Sequence, residues 1–308
     1  DDDGNGFVDD IHGWNFEKDT CKINWSDASE SGHGTHVAGT VAAVNNNGIG
    51  VSGVAGGTGN GDGCRIMSCQ VFSGSSSATV GARARAYHYA AQMGATVLQC
   101  SYGQEGGFMT SDNTFETTYS VEIAALRYFR DFGNQVNGSP VNKNIIVFAA
   151  GNDGTPMSGY PAAHKEFISV TAFGPDYLPT NYTNYGPGSN IAAPGGDVSI
   201  NMSTTSERAQ ILSTTAVESA NYDSNYGWMQ GTSMACPQVS GVIALGLSYA
   251  LEQRKHFKAE EFIELLYSTA TDVPAAVYDA EKFWYKYVID MGDNHPNLTP
   301  LQPYKGKM

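Results

Sequence analysis

The fold class of this chain is decided by the stretch Asn144-Ile-Ile-Val-Phe-Ala-Ala-Gly-Asn-Asp-Gly154. Its apolar run has the length of a strand and shows no alternation with polar side chains, which is typical of a parallel strand covered on both faces. The run stops at a glycine and an asparagine, two residue types that favour turns. The stretch therefore predicts a buried strand with Asn152 at its carboxyl end.

Similar apolar runs alternate with helical patterns along the rest of the chain. The predicted strands are 65–72, 95–102, 144–150, 167–173, 191–193 and 210–214, and the predicted helices are 33–44, 80–93, 117–131, 232–251 and 259–268. This alternation predicts an α/β fold with a doubly wound, mostly parallel sheet and helices on both faces. We expect a single domain over residues 1–308, with an acidic segment at 1–12 and an irregular segment at 276–308.

The composition argues against several classes of protein. Lys and Arg total 17 against 31 Asp and Glu, a net charge of −14, so nucleic acid is not an expected partner. The chain lacks an apolar run of about 18 residues, and no membrane span is predicted. Five cysteines without a CxxC pair argue against a disulfide scaffold or a zinc site. The acidity fits either bound cations or the solubility of an exported protein.

The first motif with catalytic chemistry is Ser31-Gly-His-Gly-Thr-His-Val-Ala-Gly-Thr40. A histidine between glycines at the start of a helix has the ring access and the near-neutral pKa that a general base needs. The alternative is that His33 caps the helix or packs in the core. For His36, on a neighbouring face of the same helix, both a structural role and a metal-ligand role are open.

The second motif is Gly231-Thr-Ser-Met-Ala-Cys-Pro237, which leads into an apolar helix. Free N–H groups and the positive dipole end at a helix start stabilise negative charge, which suits a nucleophile whose attack creates an oxyanion. Ser233 is therefore the candidate nucleophile, with an ordinary N-cap as the alternative. Asn152 could donate its amide to the same oxyanion, or it could only mark a turn.

Taken together and in this order, the motifs resemble the histidine, oxyanion and serine blocks of the subtilisin family of serine peptidases. The matching blocks are 32–40, 149–152 and 231–235, and the agreement continues through 46–55, 101–103, 160–162 and 193–195. The resemblance implies a serine endopeptidase in which His33 is the general base, Ser233 the nucleophile and Asn152 the oxyanion donor. It also implies a cis peptide bond before Pro161.

The resemblance further implies where a polypeptide substrate binds. Two strands flank the cleft of this family and pair with an extended peptide, and they are similar to 99–103 and the segment around 73–77 here. Small side chains in the implied pocket favour large apolar substrate side chains. The residues implied at the cleft and its specificity pocket are Gln99, Cys100, Ser101, Tyr102, Gly103, Ala149, Ala150, Gly151 and Thr232.

One element of the family has no counterpart in this sequence. The triad aspartate of the family lies on a strand of the form apolar-apolar-apolar-Asp-Thr/Ser-Gly, and no such segment precedes His33. Without a carboxylate on its second ring nitrogen, the histidine is neither held in the right tautomer nor stabilised as imidazolium. We therefore expect an internal fragment of a longer precursor, an aspartate supplied by a separate N-terminal segment, and weak or absent activity of the chain alone.

The sequence begins with Asp-Asp-Asp-Gly-Asn-Gly-Phe-Val-Asp-Asp10, which fits the first half of a calcium-loop pattern. His12 occupies the position at which such a loop has a glutamate ligand. A structural calcium ion is expected, with a solvated acidic turn as the alternative, and no organic cofactor is expected. The oxygen ligands would come from Asp1, Asp3, Asn5, Phe7 (through its carbonyl) and Asp9.

Two rival functions remain open at this stage. The cleft could belong to a catalytically silent pseudo-peptidase that binds peptides, or to a non-peptidase acyl hydrolase built on the same triad logic. Family habit suggests a secreted or cell-envelope protein, and an inhibitory pro-segment is a further expected partner. The sequence leaves peptide specificity and oligomeric state open.

Overall fold

A computed structural model describes residues 4–23, 32–74, 76–135, 138–198, 207–216, 225–272, 284–289 and 296–301. The α-helices are α1 (His33–Ala42), α2 (Val80–Gln92), α3 (Asp112–Thr118), α4 (Ser120–Asp131), α5 (Thr232–Glu252) and α6 (Ala259–Thr269). The strands are β1 (Gly13–Asn15), β2 (Ser68–Gln70), β3 (Phe72–Ser73), β4 (Ser76–Ser77), β5 (Val97–Cys100), β6 (Ile145–Ala149), β7 (Ile168–Phe173), β8 (Ile191–Pro194), β9 (Ile211–Thr214), β10 (Tyr226–Met229), β11 (Trp284–Ile289) and β12 (Pro296–Leu301).

A parallel sheet of four strands in the order β5-β6-β7-β8 forms the centre of the structure. Val97 of β5 lies opposite Ile145 of β6, and Val170 of β7 lies opposite Ile191 of β8. All five residues of β6 are buried. The uninterrupted apolar run at 144–150 thus forms an inner parallel strand, as its pattern predicts.

Helices cover both faces of this sheet because the side chains of β6 alternate between two cores. Ile146 and Phe148 pack in a cluster with Tyr87 of α2 and with Leu126 and Phe129 of α4. On the opposite face, Ile145, Val147 and Ala149 pack in a second cluster with Val239 and Ile243 of α5 and Phe262 of α6. The predicted α/β fold with helices on both faces of a parallel sheet is confirmed.

The strands β1 and β2 form a separate parallel pair, with Gly13 opposite Ser68. In the described part of the chain neither β2 nor β5 pairs with a second strand on its other side within these sheets. The residues of β2 and most of β5 are only half-buried, whereas β6 and β7 are almost fully buried. Cys69 and Leu98 nevertheless pack against the same core cluster, so the two open edges belong to one interior.

The antiparallel hairpin of β9 and β10 rests on α1. The Ser213 hydroxyl donates to the carbonyl of His36 at 2.7 Å, and the Thr214 hydroxyl donates to the carbonyl of Thr35 at 2.8 Å. Gly39 permits this close approach, because a Cβ there would lie 2.1 Å from the Thr214 hydroxyl oxygen. The hairpin thereby holds the helix that begins at His33.

Two sequence predictions need correction. The single helix predicted over 117–131 is interrupted at Tyr119, where α3 ends and α4 begins, and Ser111 caps α3 by accepting from the Thr114 amide. The segment 276–308, predicted to be irregular, contains β11 and β12 paired antiparallel. The aromatic and β-branched residues of 284–289 have the high strand propensity that explains this pairing.

One described helix, α5, is long and apolar enough to span a bilayer, but more than half of its apolar window is buried inside the protein. It packs against all four strands of the central sheet. These contacts make it the central core helix of the domain.

Candidate active site

Ser233 lies in the first turn of α5, two residues after a glycine with unusual backbone geometry. Gly231 has φ 146° and ψ 164°, a conformation that side-chain-bearing residues rarely adopt. The Ser233 hydroxyl donates to the carbonyl of Ser101 at 3.3 Å, and the Ser101 hydroxyl donates to the carbonyl of Ser233 at 2.8 Å. This reciprocal contact fixes the start of α5 against the carboxyl end of β5.

Asn152 is held beside Ser233 by Thr232. The Asn152 side-chain oxygen accepts from the Thr232 amide at 2.8 Å and from the Thr232 hydroxyl at 2.9 Å. Both acceptor lone pairs are thereby used, so the NH₂ group is the part of the side chain that can serve a ligand. An added Cβ on Gly231 would lie 3.4 Å from the Asn152 amide nitrogen and 3.6 Å from the Ser233 backbone nitrogen. Two donors thus border one small space, as an oxyanion hole requires.

Asn184 organises the turn that carries Asn152, and sequence reasoning missed it. Its side-chain oxygen accepts from the Asp153 amide at 3.0 Å and the Thr155 amide at 3.1 Å, and its NH₂ group donates to the Ala150 carbonyl at 3.0 Å. Asn184 is fully buried in the connection between β7 and β8. Its neighbours in sequence form no motif, because its partners lie about 30 residues away along the chain.

His33 is the first residue of α1 and is half-buried. The preceding Gly32 has φ 68°, a left-handed conformation that favours glycine. Burial lowers the pKa of His33 below its ordinary value of 6.5, which keeps the imidazole neutral and able to accept a proton at neutral pH. The helix α1 packs directly against α5, so the candidate base and the candidate nucleophile stand at the starts of two adjoining helices.

His36 is fully buried one turn further along α1. Its Nε2 atom lies 2.9 Å from the carbonyl oxygen of Ile211 in β9, so this nitrogen carries the proton and donates it. Burial lowers the pKa of His36, in agreement with a neutral ring. These contacts favour the structural role over the metal-ligand role for this residue.

The implied cleft residues divide into exposed and buried groups. Ser101 and Tyr102 are half-buried and Gly103 is exposed at the end of β5, and the Gln99 amide donates to the Ser101 hydroxyl at 2.7 Å. Gly151 is half-buried beside Asn152, with its amide donating to the Thr232 hydroxyl at 3.2 Å. The remaining implied residues are buried, so their side chains shape the cleft from behind rather than touching a substrate: Cys100, Ala149, Ala150 and Thr232.

The acidic segment is only partly described, since Asp1 and Asp3 lie outside the described residues. The Asn5 side-chain oxygen accepts from the Phe7 amide at 2.7 Å, and Gly6 has φ 87°. This tight turn is the kind of backbone that calcium loops use at their glycine position. The Asn5 NH₂ group donates to the carboxylate of Asp10 at 3.0 Å.

A second group of possible ligand atoms belongs to Glu116, His164 and Glu166. The guanidinium of Arg127 binds the carboxylates of Glu116 and Glu166 at 2.6 and 2.7 Å, and Arg130 also binds Glu166. Two guanidinium cations therefore already neutralise the carboxylates that would have to bind a metal ion. We assign this group to an ion-pair network that joins α3 and α4 to the segment after Pro161. The peptide bond between Tyr160 and Pro161 is cis, as expected.

Comparison with known proteins shows which family and which proteins this chain is similar to. The sequence profile described as "Subtilase family" matches residues 2–286. Halolysin of Haloferax mediterranei is 32% identical over 220 residues, which are 71% of this chain and 34% of that protein. An extracellular protease of Xanthomonas campestris pv. campestris is 33% identical over 262 residues, which are 85% of this chain and 40% of that protein.

A solved structure of a protease from Pseudoalteromonas arctica has a TM-score of 0.61 and 29% identity, covering 82% of this chain and 69% of that chain. The chain spans less than half the length of the halolysin and of the Xanthomonas protease.

Proposed function

The chain belongs to the subtilase family, and on that premise we propose that it is the catalytic part of a serine endopeptidase. The single observation that carries the proposal is the clamped amide of Asn152, whose oxygen is fixed by the amide and hydroxyl of Thr232. A side chain held in this way is oriented before substrate arrives. Such preorganisation is what makes a hydrogen-bond donor effective in a transition state.

In the proposed reaction the Ser233 hydroxyl attacks the carbonyl carbon of a peptide bond while His33 accepts its proton. The resulting oxyanion accepts hydrogen bonds from the Asn152 NH₂ group and the Ser233 backbone N–H. His33 then returns the proton to the leaving amine, and an acyl-enzyme remains on Ser233. A water molecule, deprotonated by His33, then attacks the acyl carbon, the ester bond to Ser233 breaks as the carboxylic acid leaves, and His33 returns the proton to the serine oxygen.

We further propose that a separate segment supplies the triad carboxylate as an additional strand between β2 and β5. The supporting observation is the interrupted sheet: in the described residues, the parallel pair β1-β2 and the four-stranded parallel sheet each end in a half-buried edge strand, β2 and β5, and both edge strands contact one core cluster. An inserted parallel strand would bury both edges and continue the sheet. We also propose an inhibitory pro-segment as a further partner of the cleft.

The strand proposal predicts that an added segment with the apolar-apolar-apolar-Asp-Ser-Gly pattern binds to the chain and makes Ser233 more reactive. Co-expression with such a segment should raise the rate at which a fluorophosphonate labels Ser233, and an Asp→Asn segment should insert without this gain. If both segments raise the rate equally, the carboxylate does not act on the base. If neither binds, the interrupted sheet is not an acceptor for a strand.

The peptidase proposal is tested against the pseudo-peptidase alternative by the same probe together with an unfolded protein substrate. We expect covalent labelling at Ser233, cleavage of the substrate, and loss of both in Ser233→Ala. Peptide binding without labelling of Ser233, even when the aspartate-containing segment is present, would favour the catalytically silent pseudo-peptidase. Ester cleavage without peptide cleavage would favour the acyl hydrolase.

We also propose that the segment 1–12 binds a structural calcium ion and that the protein is exported. The turn at Asn5–Phe7 supports the first proposal, and the name of the Xanthomonas relative, an extracellular protease, supports the second. Removal of calcium by a chelator should lower the unfolding temperature, and Asp9→Ala should abolish this response. An equal response in Asp9→Ala would move any calcium site elsewhere.

A further inference from the structure

A buried ion pair lies behind the cleft and takes no part in the proposed chemistry. Arg83 of α2 donates from Nε to Glu122 Oε1 at 2.9 Å and from Nη2 to Glu122 Oε2 at 3.1 Å. The side chain of Glu122 is 3% exposed and that of Arg83 is 18% exposed. Because burying two charges is costly unless their remaining polar atoms are also bonded, the other partners of this pair are informative.

The arginine end of the pair reaches one wall of the cleft. Arg83 Nη1 donates to the carbonyl oxygen of Ala78 at 3.0 Å. Ala78 follows the hairpin of β3 and β4, and its amide donates to the Val71 carbonyl at 2.7 Å, which closes the base of that hairpin. The guanidinium therefore fixes the base of the segment around 73–77.

The glutamate end of the pair reaches the opposite wall. Glu122 Oε1 accepts from the hydroxyl of Tyr87 at 3.1 Å, and the Tyr87 and Tyr102 hydroxyl oxygens are 2.8 Å apart. Tyr102 directly follows Ser101, whose carbonyl accepts from the Ser233 hydroxyl. The chain of bonds thus ends on the segment just after β5, whose Ser101 contacts the candidate nucleophile.

The aromatic ring of Tyr102 completes the connection by contacting the first wall directly. Its centroid lies 5.5 Å from that of Phe72 in β3, in an edge-to-face arrangement. Tyr102 also meets Phe148 of β6 edge to face at 6.0 Å. Hydrogen bonds behind the cleft and a ring contact across it therefore tie the same two walls.

We infer that Arg83, Glu122 and Tyr87 are positioning residues that set the separation of the two walls for an extended polypeptide. This inference rests on the proposed peptidase function of the cleft. A peptide that pairs with both walls needs them at two strand spacings, about 9.6 Å apart, and neighbouring hydrogen bonds weaken together when that separation changes. A short ligand pairs with few of these groups and is insensitive to the separation.

The test is the dependence of peptide affinity on peptide length in a Ser233→Ala background, which removes turnover from the measurement. Fluorescently labelled apolar peptides of two and six residues are titrated against the chain and its Tyr87→Phe variant. Tyr87→Phe removes the hydroxyl that bonds to both Glu122 and Tyr102, and breaking this link between the walls predicts about a threefold to tenfold weaker affinity for the hexapeptide and no change for the dipeptide. Tyr128→Phe is the matched control, because Tyr128 is a half-buried tyrosine of α4 whose ring stacks on His88 and which does not belong to the hydrogen-bond chain between the walls.

A double-mutant cycle separates coupling from general loosening. Because Tyr87→Phe already removes the hydrogen bond that Tyr87 shares with Tyr102, Tyr102→Phe should have an equal or smaller effect, and the double variant should lose little more affinity than Tyr87→Phe alone. Additive losses, or a Tyr87→Phe variant with unchanged length dependence, would overturn the inference. Absence of hexapeptide binding to the Ser233→Ala chain itself would instead count against the proposed function.

Discussion

The replacement Asn184→Ala tests whether a side chain remote in sequence holds the oxyanion turn. The change removes the acceptor used by the Asp153 and Thr155 amides and by the Thr155 hydroxyl, and the donor to the Ala150 carbonyl and the Asp153 carboxylate. The Thr155 hydroxyl keeps the Met157 carbonyl as an acceptor, and the Asp153 carboxylate keeps the Gly106 amide as a donor. The Ala150 carbonyl keeps a second donor, the Gly159 amide at 2.8 Å, so the main loss falls on the two N–H groups. Asp153 and Thr155 are not buried, and water can partly replace the lost bonds.

The magnitude follows from these two donors. An unsatisfied buried donor costs about 1–3 kcal/mol, and the lower end applies to groups that water can reach. Two such losses give a decrease of about 2.5 kcal/mol in the free energy of unfolding. With a urea m value of about 3 kcal/mol/M, the unfolding midpoint should fall by about 0.8 M.

The assay combines urea unfolding with the rate at which a fluorophosphonate labels Ser233. We expect the labelling rate to fall by about 100-fold, the loss that a displacement of about 1 Å causes in a reacting geometry, because the turn that aims Asn152 is no longer fixed. Asn190→Ala is the matched control: it removes one 2.7 Å bond to the Ser169 amide in the same β7–β8 connection, away from the site. It should lower the midpoint slightly and leave labelling unchanged. Equal labelling rates for Asn184→Ala and the unaltered chain would refute the reasoning.

Three other substitutions, one of them with a control variant, probe the oxyanion donor, the packing of α1 and the buried histidine of α1. Asn152→Leu should lower kcat on a peptide substrate by about 10²–10³ with little change in KM, the range known for loss of one oxyanion donor in a related protease; an unchanged kcat would remove Asn152 from the oxyanion site. Gly39→Ala should lower the urea midpoint because its Cβ would meet the Thr214 hydroxyl oxygen at 2.1 Å. Gly34→Ala, with open space around it, should instead raise the free energy of unfolding by about 0.5–1 kcal/mol, and a loss as large as that of Gly39→Ala would discount the contact. Burial lowers the pKa of His36 below 6.5 in the folded protein, so the unfolded chain binds the proton more readily and stability should fall as pH drops below about 6.5. His36→Gln should flatten that slope in urea unfolding at several pH values, and an identical slope in the variant would assign it to other groups.

The central sheet could be predicted because each of its strands has a recognisable apolar pattern in its own short stretch of sequence. The run at 144–150 is too uniformly apolar for a surface strand and too short for a helix. The starts of α1 and α5 were equally readable, since both lie in glycine-flanked motifs. By contrast β1 has only three residues, and its partner β2 lies more than fifty residues away, so its sequence carries too little pattern to predict a strand.

The sequence provided the candidate catalytic residues, which stay a prediction, but not the side chains that hold them in place, such as Asn184. Ser233 and Asn152 stand in recognisable motifs, but the buried positions of Ala149 and Ala150 differ from the pocket-lining role that the motifs imply. Both alanines belong to a strand, or to the end of one, whose residues are all buried, which explains why their side chains are covered.

The sequence by itself determined the class of fold and supplied the candidate catalytic residues, because neighbouring residues encode helix starts, buried strands and turns. Only the tertiary structure decided which groups hold that chemistry in place. Asn184 meets Asp153 across 31 positions, and Ser101 meets Ser233 across 132. A hydrogen bond is made over about 3 Å whatever the distance along the chain, and no local pattern encodes which loops folding will bring together.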